Sequence, residues 1–260
     1  MILLLTHQTL VMPPRFFHAG EIYAGKTVEL EMTTGHHAAR VLRIKAGDSI
    51  ILFNGKGGEF SARIARIRKT ATQVIIDQFN AIERESPLAI ELVQAICVNE
   101  KMDLIIQKSV ELGVTSIQPV TTTRSIVRLS EERTMKRLQH WQRVIISACE
   151  QCGRNFIPAI FPLVALTDWV SNKNSKTKAD HHLNFMLSTT GKESLKNLPR
   201  PSLNTHLTLA VGPEGGLTSE EENILQQANF TPLRVGKRIL RTETAALATI
   251  AALQMYWGDF

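Results

Sequence analysis

The sequence predicts an α/β protein made of two unequal domains, a small β-rich one followed by a larger one with a mostly parallel sheet. Three observations support this prediction. Residues 27–79 form a series of short strand candidates, the segment ERESP (83–87) interrupts the series, and strands then alternate with helices to the C-terminus. A chain of 260 residues is long enough to bury two hydrophobic cores.

The β-rich part contains five strand candidates separated by turns rich in glycine and aspartate. They are TVELEM, HHAARVLRI, SIILFNG, EFSARIARI and ATQVIIDQF. Short strands at regular spacing favour a small barrel or sandwich. We therefore predict a first domain over residues 12–82. Residues 1–11 are read as an extension, and Met12 is an alternative start.

Two helices are predicted early in the second domain, which we place at residues 86–260. The segment KMDLIIQKSVEL has a helical apolar stripe that ends at Gly113, formed by Met102, Ile105, Ile106 and Val110. Ser130 is expected to cap a longer helix, because Glu131 and Glu132 then lie in its positive first turn. Its apolar face runs through Leu138, Trp141, Ile145, Ala148 and Cys152.

The remaining strand candidates are apolar runs between short helices. They are LAIELVQAIC, VTSIQPV, IFPLVAL, LNFMLS, LTLAV and TPLRVG. Strands alternating with helices predict a parallel sheet covered on both faces. The final segment TETAALATIAALQMYW is apolar all round, which predicts a buried helix.

Composition and charge indicate a globular protein with a polyanionic partner. Hydrophobic residues make up 43% and charged residues 21% of the chain, and the net charge is +6. The first 80 residues carry ten lysines and arginines against six acids, so most of the excess lies there. A modest basic excess of this size favours a polyanionic partner.

The three cysteines indicate a reducing compartment, and we expect a cytoplasmic protein without a membrane span. Three cysteines cannot form a full disulfide framework, and the opening MILLL is far too short to cross a bilayer. Cys149 and Cys152 have the spacing C-x-x-C but lie on a predicted helix without a second pair. Buried thiols are favoured over a zinc site there, and no metal is predicted.

The loop GPEGG (212–216) follows the strand candidate LTLAV and precedes a helix. Thr218 and Glu221 have the spacing of a capping box, and glycines let backbone amides approach a ligand closely. The central carboxylate of Glu214 would repel phosphate, and the loop lacks the P-loop and dinucleotide-binding patterns. Taken alone, the loop is equally well explained as a plain turn.

A second loop, VGKRILRTETAAL (235–247), also joins a strand to a helix. Thr242 is expected to be the N-cap of that helix, with Glu243 in the first turn. Lys237, Arg238 and Arg241 stand beside apolar residues. An acidic glycine loop and a basic, partly apolar loop suit a ligand that carries both a cation and an aromatic ring, although a solvated basic turn is the simpler alternative.

Five motifs in order resemble one family. HHAARVLRIKAGDSIILFNGKG, EKMDLIIQKSVELGVTSIQPVTTTRSI, EQCGR, LAVGPEGGLTSEE and VGKRILRTETAAL are similar to the successive motifs of the RsmE family, from about Met12 to the C-terminus. Cys152 departs from the small polar residue that is usual there, and Val235 replaces a common leucine. Both differences are conservative enough to leave cofactor binding in place.

The resemblance implies a fold and an activity. The fold is a SPOUT-type methyltransferase domain with a trefoil knot, preceded by a PUA-like β-barrel that binds RNA. The activity is S-adenosylmethionine-dependent methylation of N3 of a uridine, U1498, in bacterial 16S ribosomal RNA within the small subunit. Members act as homodimers with the cofactor pocket near the subunit interface.

Carried over by position, the resemblance also implies the S-adenosylmethionine pocket. Its residues come from three loops: Leu187, Ser188 and Thr189, then Gly212, Pro213, Glu214, Gly215 and Gly216, and then Val235, Gly236, Ile239, Leu240 and Thr242. The cofactor is cationic at its sulfonium and ammonium groups and has no phosphate, so an acidic loop residue becomes reasonable. The contact made by Glu214 stays open.

Methylation at N3 requires removal of a proton and stabilisation of the resulting anion. Arg241 is the candidate for the anion and Glu243 for the proton, although Glu243 is equally well explained by the helix dipole. Contacts to RNA phosphates are expected from Arg15, Arg40, Arg43, Lys108, Arg124 and Arg154. The alternatives are another SPOUT reaction, such as ribose 2′-O methylation, and a non-catalytic RNA-binding protein.

Overall fold

The computed structural model describes residues 13–30, 44–68, 71–127, 130–174, 182–202 and 205–260, which form two compact units. The first unit contains the described residues up to Arg84 together with Gly153–Phe156, and the second contains Glu85–Cys152 and Ile157–Phe260. The boundary thus falls inside ERESP. The sequence assigned residues 153–156 to the second domain, whereas the structure groups them with the first.

The first unit contains a five-stranded sheet. Its strands are β1 (Arg15–Phe17), β2 (Thr27–Leu30), β3 (Ser49–Phe53), β4 (Glu59–Ile67) and β5 (Thr72–Asn80). Their order is β1-β3-β4-β5-β2, in which β1 is parallel to β3 and the other pairs are antiparallel. Most of the strand candidate HHAARVLRI lies outside the described residues.

Alternating residues of β4 and β5 form the core of this unit. Ala62 lies opposite Ile76, and Ile64 lies opposite Val74. All four side chains are at most 2% exposed. Because side chains alternate between the faces of a strand, the apolar period of two in EFSARIARI directs one face of the sheet inward.

The second unit alternates strands and helices. Its strands are β6 (Ala89–Ala95), β7 (Ser116–Thr121), β8 (Ala159–Ile160), β9 (Val164–Ala165), β10 (His182–Leu187), β11 (His206–Val211) and β12 (Phe230–Leu233). Its helices are α1 (Asn99–Glu111), α2 (Glu131–Cys152), α3 (Leu166–Asn174), α4 (Ser219–Gln227) and α5 (Thr242–Trp257), with a 3-10 turn at Leu195–Asn197.

These strands form one parallel sheet in the order β12-β10-β11-β6-β7-β8, and β9 also pairs with β7. Val93 and Ala95 of β6 belong to a core cluster that includes residues of α3 and α4. The intervening Gln94 is bonded to Thr242 of α5 instead. Helices therefore cover both faces of the sheet, and the carboxyl ends of the adjacent strands β10, β11 and β12 meet at one edge.

The helix and strand predictions need three corrections. IFPLVAL is divided into β8 and β9, and Pro162 lies in the interruption. On α2 the buried thiol is Cys149, while Cys152 is partly exposed. The helix α5 is not buried all round, because Met255 is 66% and Tyr256 is 48% exposed.

Candidate active site

Three loops at the carboxyl ends of β10, β11 and β12 enclose a cavity of about 280 Å³. All thirteen residues predicted for the cofactor line it, including the whole GPEGG loop and Thr242. The parallel arrangement explains this convergence, because the carboxyl ends of neighbouring parallel strands lie at the same edge of the sheet. The fold brings together three segments that are separate in the sequence to form the wall of this cavity: 187–189, 212–216 and 235–240.

Two glycines of GPEGG are required, one because the backbone of the loop approaches it closely and one because it has a positive φ. A Cβ on Gly212 would lie 2.9 Å from the Leu217 nitrogen and 3.0 Å from the Gly216 carbonyl carbon. Gly216 has a φ of +71°, which side-chain-bearing residues rarely adopt. The Gly216 N–H donates to the Pro213 carbonyl at 2.9 Å, which closes the loop as a turn.

The capping box predicted for the following helix is present. The Thr218 side chain accepts from the Glu221 backbone, and the Glu221 carboxylate accepts from the Thr218 backbone. The other oxygen of Glu221 accepts from Thr123 N–H at 2.7 Å. One carboxylate therefore fixes the start of α4 and the loop that follows β7.

Thr242 has a different role from the predicted one. The N-cap of α5 is Arg241, which makes no side-chain capping bond, and Thr242 is the first residue of the helix. The Thr242 hydroxyl donates to the Gly212 carbonyl at 2.7 Å and accepts from Gln94 Nε2 at 3.2 Å. A buried threonine thus connects α5 to the GPEGG loop and to β6.

The carboxylate of Glu214 is held by the start of α1. Its Oε1 accepts a hydrogen bond from Val98 N–H at 3.4 Å and another from Lys101 Nζ at 3.3 Å. Burial alone would raise the pKa of Glu214, but its own backbone N–H, Lys101 and Val98 together lower it below the ordinary value. The acid in the glycine loop is consequently ionised and tied to the protein, which the sequence left open.

Glu243 lies in the first turn of α5 beside the same lysine. Its Oε2 is 4.0 Å from Lys101 Nζ and is buried without a hydrogen-bond partner among the described residues. Arg241 is exposed and does not line the cavity. The structure therefore places Glu243 within the charged cluster near the cavity and leaves Arg241 at the surface beside it.

Cys97 is a buried thiol next to this cluster. Its Sγ donates to the Ala95 carbonyl at 3.2 Å. Burial, followed by the negative charge of Glu214, raises the pKa of Cys97 to about 12. This thiol stays protonated at neutral pH, so it is not a nucleophile of the site.

Arg15 and Arg154 are both buried, at 8% and 4% exposure, and the prediction that they contact RNA phosphates is corrected. The Arg15 guanidinium donates to Glu59 and, at 2.7 Å, to Asn155 Oδ1. Arg84 donates to the same Glu59 at 2.9 Å. Two arginines therefore surround one buried carboxylate inside the first unit. The charge of Arg15 is visible in the sequence, but its buried partner Glu59 is not.

The other RNA candidates differ in their surroundings. Lys108 is 41% exposed on α1 and pairs with Glu111 at 2.8 Å. Arg124 lines the cavity, and its guanidinium donates to the carbonyls of Gly215 and Leu217 at 2.9 and 3.1 Å. Arg40 and Arg43 lie outside the described residues.

Sequence reasoning missed two residues that support the site, Gln94 and Lys101, and two contacts of residues it had named: the bonds of Arg124 to the glycine loop and the bond of Glu221 to Thr123. They come from β6, α1, the loop after β7 and α4. A single signal was available, because Lys101 lies in the EKMD motif that was quoted for its family resemblance. Nothing local in the sequence connects it to Glu214.

Comparisons with known proteins agree with this arrangement. The RNA methyltransferase domain family matches residues 84–254, and the RNA methyltransferase PUA domain matches residues 33–77. The ribosomal RNA small subunit methyltransferase E of Buchnera aphidicola subsp. Schizaphis graminum is 34% identical over 246 residues, covering 95% of this chain and 97% of the relative.

Two similar solved structures contain a cofactor. The small subunit methyltransferase E of Neisseria gonorrhoeae, crystallised with S-adenosyl methionine, is 40% identical with a TM-score of 0.87, covering 96% of this chain and 100% of that one. A methyltransferase of Legionella pneumophila, solved with SAM bound, is 39% identical with a TM-score of 0.89 and the same coverage. The chain belongs to the ribosomal RNA small subunit methyltransferase E family.

Proposed function

We propose that this protein transfers a methyl group from S-adenosylmethionine to N3 of U1498 in 16S ribosomal RNA. The observation that carries the proposal is the single cavity lined by all thirteen residues assigned to the cofactor. The N. gonorrhoeae relative, which has S-adenosyl methionine bound, supports the same assignment.

The residues of the cavity fit this cofactor. Its walls combine apolar side chains such as Leu187 and Leu240 with backbone groups of the glycine loop, a combination that suits an adenosine. Gly212 packs against Leu217 and Gly215 against the side chain of Arg124, and neither glycine has a side chain that would separate the loop backbone from a ligand. The wall carries the carboxylates of Glu214 and Glu222 together with the cations Arg124, Arg234, Lys237 and Arg238, which suits a ligand with charges of both signs such as the amino-acid part of the cofactor.

The bound cofactor supplies an electrophilic methyl group, and the protein supplies position and proton handling. Displacement at a methyl carbon needs the acceptor nitrogen in line with the leaving sulfur, so fixed loops provide much of the acceleration. Glu243, whose side chain is 15% exposed in the first turn of α5, is proposed as the acceptor for the N3 proton. The exposed guanidinium of Arg241 stabilises the charge that develops on O2 and O4 of the uracil.

The substrate is 16S ribosomal RNA, and we propose that it is modified within the small subunit. Lys108 and the residues Arg40 and Arg43 remain the candidates for phosphate contacts. Arg15 and Arg154 are left out of this surface because their side chains are buried. Arg124 contributes by bracing the glycine loop, and its positive charge lies at the cavity wall.

A homodimer is proposed from the exposed face of α5. Met255 and Tyr256 are exposed near the end of a helix whose opposite face packs into the core. A second copy of the chain is the partner that the family resemblance implies, and covering these side chains would remove apolar area from water. We also propose that the second domain contains the trefoil knot implied by the family resemblance and that the protein is cytoplasmic. No helix in the described part of the chain is both long and apolar enough to cross a bilayer.

Isothermal titration calorimetry tests the cofactor assignment. The unaltered protein is expected to bind S-adenosylmethionine at micromolar to submillimolar concentrations. Gly215→Trp is expected to abolish binding, because Gly215 lines the cavity and its Cβ position points at Arg124, 3.3 Å from that side chain's Cβ. Absence of binding by the unaltered protein would leave only the non-catalytic RNA-binding alternative, and unchanged affinity of the variant would place the cofactor elsewhere.

A further inference from the structure

Three charged side chains from three separate elements meet behind the wall of the cavity. Lys101 comes from the first turn of α1, Glu214 from the glycine loop and Glu243 from the first turn of α5. The Lys101 Nζ lies 3.3 Å from Glu214 Oε1 and 4.0 Å from Glu243 Oε2. The two carboxylates share this one ammonium as their ion-pair partner among the described residues.

The cluster is partly shielded from water. The side chains of Lys101, Glu214 and Glu243 are 29%, 22% and 15% exposed. Partial burial strengthens electrostatic interactions relative to those on an open surface. The pKa of the neighbouring Cys97 responds to all three charges, being raised by Glu214 and Glu243 and lowered by Lys101.

The charges of the cluster do not cancel. Two carboxylates and one ammonium leave one net negative charge, and Glu214 is itself part of the cavity wall. S-adenosylmethionine has a positive sulfur, whereas the product S-adenosylhomocysteine has a neutral thioether and is otherwise the same molecule. The cavity lining also carries Arg124, Arg234, Lys237 and Arg238, so the negative charge is local to the Glu214 side of the wall. A more negative charge on that side favours the methyl donor over the product.

We propose that Lys101 is a positioning residue that sets both the position of Glu214 and the local charge on that side of the cavity wall. It holds Glu214 and Glu243 together, which fixes the glycine loop against the start of α5, and it neutralises one of their two charges. This inference rests on the proposed function, since it concerns the same cofactor. It assigns to Lys101 control of the discrimination between methyl donor and product.

The two parts of the role have different consequences. Loss of loop positioning weakens the binding of donor and product alike, because both use the adenosine and amino-acid contacts. Loss of the ammonium leaves two negative charges uncompensated. The amino-acid charges that both ligands share respond alike, so the difference between the ligands comes from the charged sulfur of the methyl donor. The ratio of the dissociation constant of S-adenosylhomocysteine to that of S-adenosylmethionine separates the charge effect from general damage to the loop.

The experiment measures both dissociation constants by calorimetry at pH 7.5 for the unaltered protein, Lys101→Met and Lys101→Arg. In Lys101→Met both ligands are expected to bind more weakly, and the ratio is expected to rise about threefold, the size typical of a partly exposed ion pair. Lys101→Arg keeps the charge and is expected to keep the original ratio. The double variant Lys101→Met with Glu214→Gln removes one charge of each sign and should return the ratio to its original value.

Lys136→Met is the matched control, because Lys136 pairs with Glu132 at 2.6 Å on the exposed surface of α2. It is expected to leave both dissociation constants unchanged. An unchanged ratio in Lys101→Met would overturn the inference, whether or not overall affinity falls, and leave the proposed function intact. If the unaltered protein bound neither ligand, the proposed function itself would fall and this inference with it.

Discussion

The hydroxyl of Thr242 donates to the carbonyl of Gly212 at 2.7 Å, and this bond connects the first residue of α5 to the first residue of the GPEGG loop. Both groups are buried, and the same hydroxyl accepts from Gln94 of β6. The position of one wall of the cavity therefore depends on a side chain that the sequence predicted as a helix cap and as part of the cofactor pocket, but not as the bond between them.

Thr242→Val is expected to weaken S-adenosylmethionine binding about tenfold and to lower the free energy of unfolding by about 1–3 kcal/mol. Valine keeps the shape of threonine but leaves the Gly212 carbonyl and the Gln94 amide without this partner in a buried place. Calorimetry and urea unfolding measure the two effects. Thr249→Val is the control, since the Thr249 hydroxyl donates within α5, to the Ala245 carbonyl at 2.7 Å. Equal effects of both variants on cofactor affinity would contradict the role of the bond.

Gly212→Ala is expected to reduce cofactor affinity by more than about tenfold. The added Cβ would lie 2.9 Å from backbone of the same loop, so the loop itself must move. Gly25→Ala is the matched control, because Gly25 has a φ of +83° with open space around its Cβ position in the first unit. It should lower stability without changing affinity. Normal S-adenosylmethionine binding by Gly212→Ala would show that the loop does not form the wall of the cofactor site.

Glu59→Gln is expected to destabilise the first unit by about 3–5 kcal/mol, because two guanidinium groups then lose their shared buried counter-charge. Burial raises the pKa of Glu59, but hydrogen bonds from Arg84 and Arg15 and their charge lower it below the ordinary 4.5 overall. Since the folded pKa is lowered, this stabilisation is complete above pH 4.5 and is lost as the pH falls through the folded value.

Urea unfolding of both proteins between pH 3 and pH 7 checks this expectation. The difference in unfolding free energy between the unaltered protein and Glu59→Gln should be largest at neutral pH and shrink in acid. Asp77→Asn, which breaks an exposed pair with Arg63, should change stability little at any pH. A difference that grew on acidification would contradict the assigned ionisation of Glu59.

Met255→Glu is expected to convert the proposed homodimer into monomers. Met255 is 66% exposed in the single chain, so a charge there costs little in the monomer, but it would be placed in an apolar contact if a second copy covers α5. Sedimentation velocity measures the oligomeric state. Met135→Glu on α2, where the side chain is 56% exposed, is the control. A dimer that survives Met255→Glu would place the contact elsewhere.

Local sequence signals predicted the part of the site made by loops. GPEGG and the segment after Val235 can be recognised in the sequence, because glycine spacing and strand-to-helix transitions are properties of neighbouring residues. The parallel sheet then brings their ends together. The cofactor assignment itself came from the family resemblance and the order of five motifs.

Side chains whose roles depend on distant residues could not be read in the same way. Lys101 is 113 positions from Glu214 in the sequence, and only the fold places them 3.3 Å apart. Arg15 looked like a phosphate contact because its charge is visible in the sequence, while its burial against Glu59 is not. Thr242 had the residue type of an N-cap but lies one position inside the helix.

Methylation of small ribosomal subunits purified from a strain that lacks this gene is the most direct test of the account. The subunits are incubated with the purified protein and S-adenosylmethionine, and the RNA is digested and mapped by mass spectrometry. The account predicts one new methyl group on the base of U1498, at N3, which is lost with Gly212→Ala. A methyl group on a ribose 2′-oxygen, or no methylation by a protein that binds the cofactor, would contradict it.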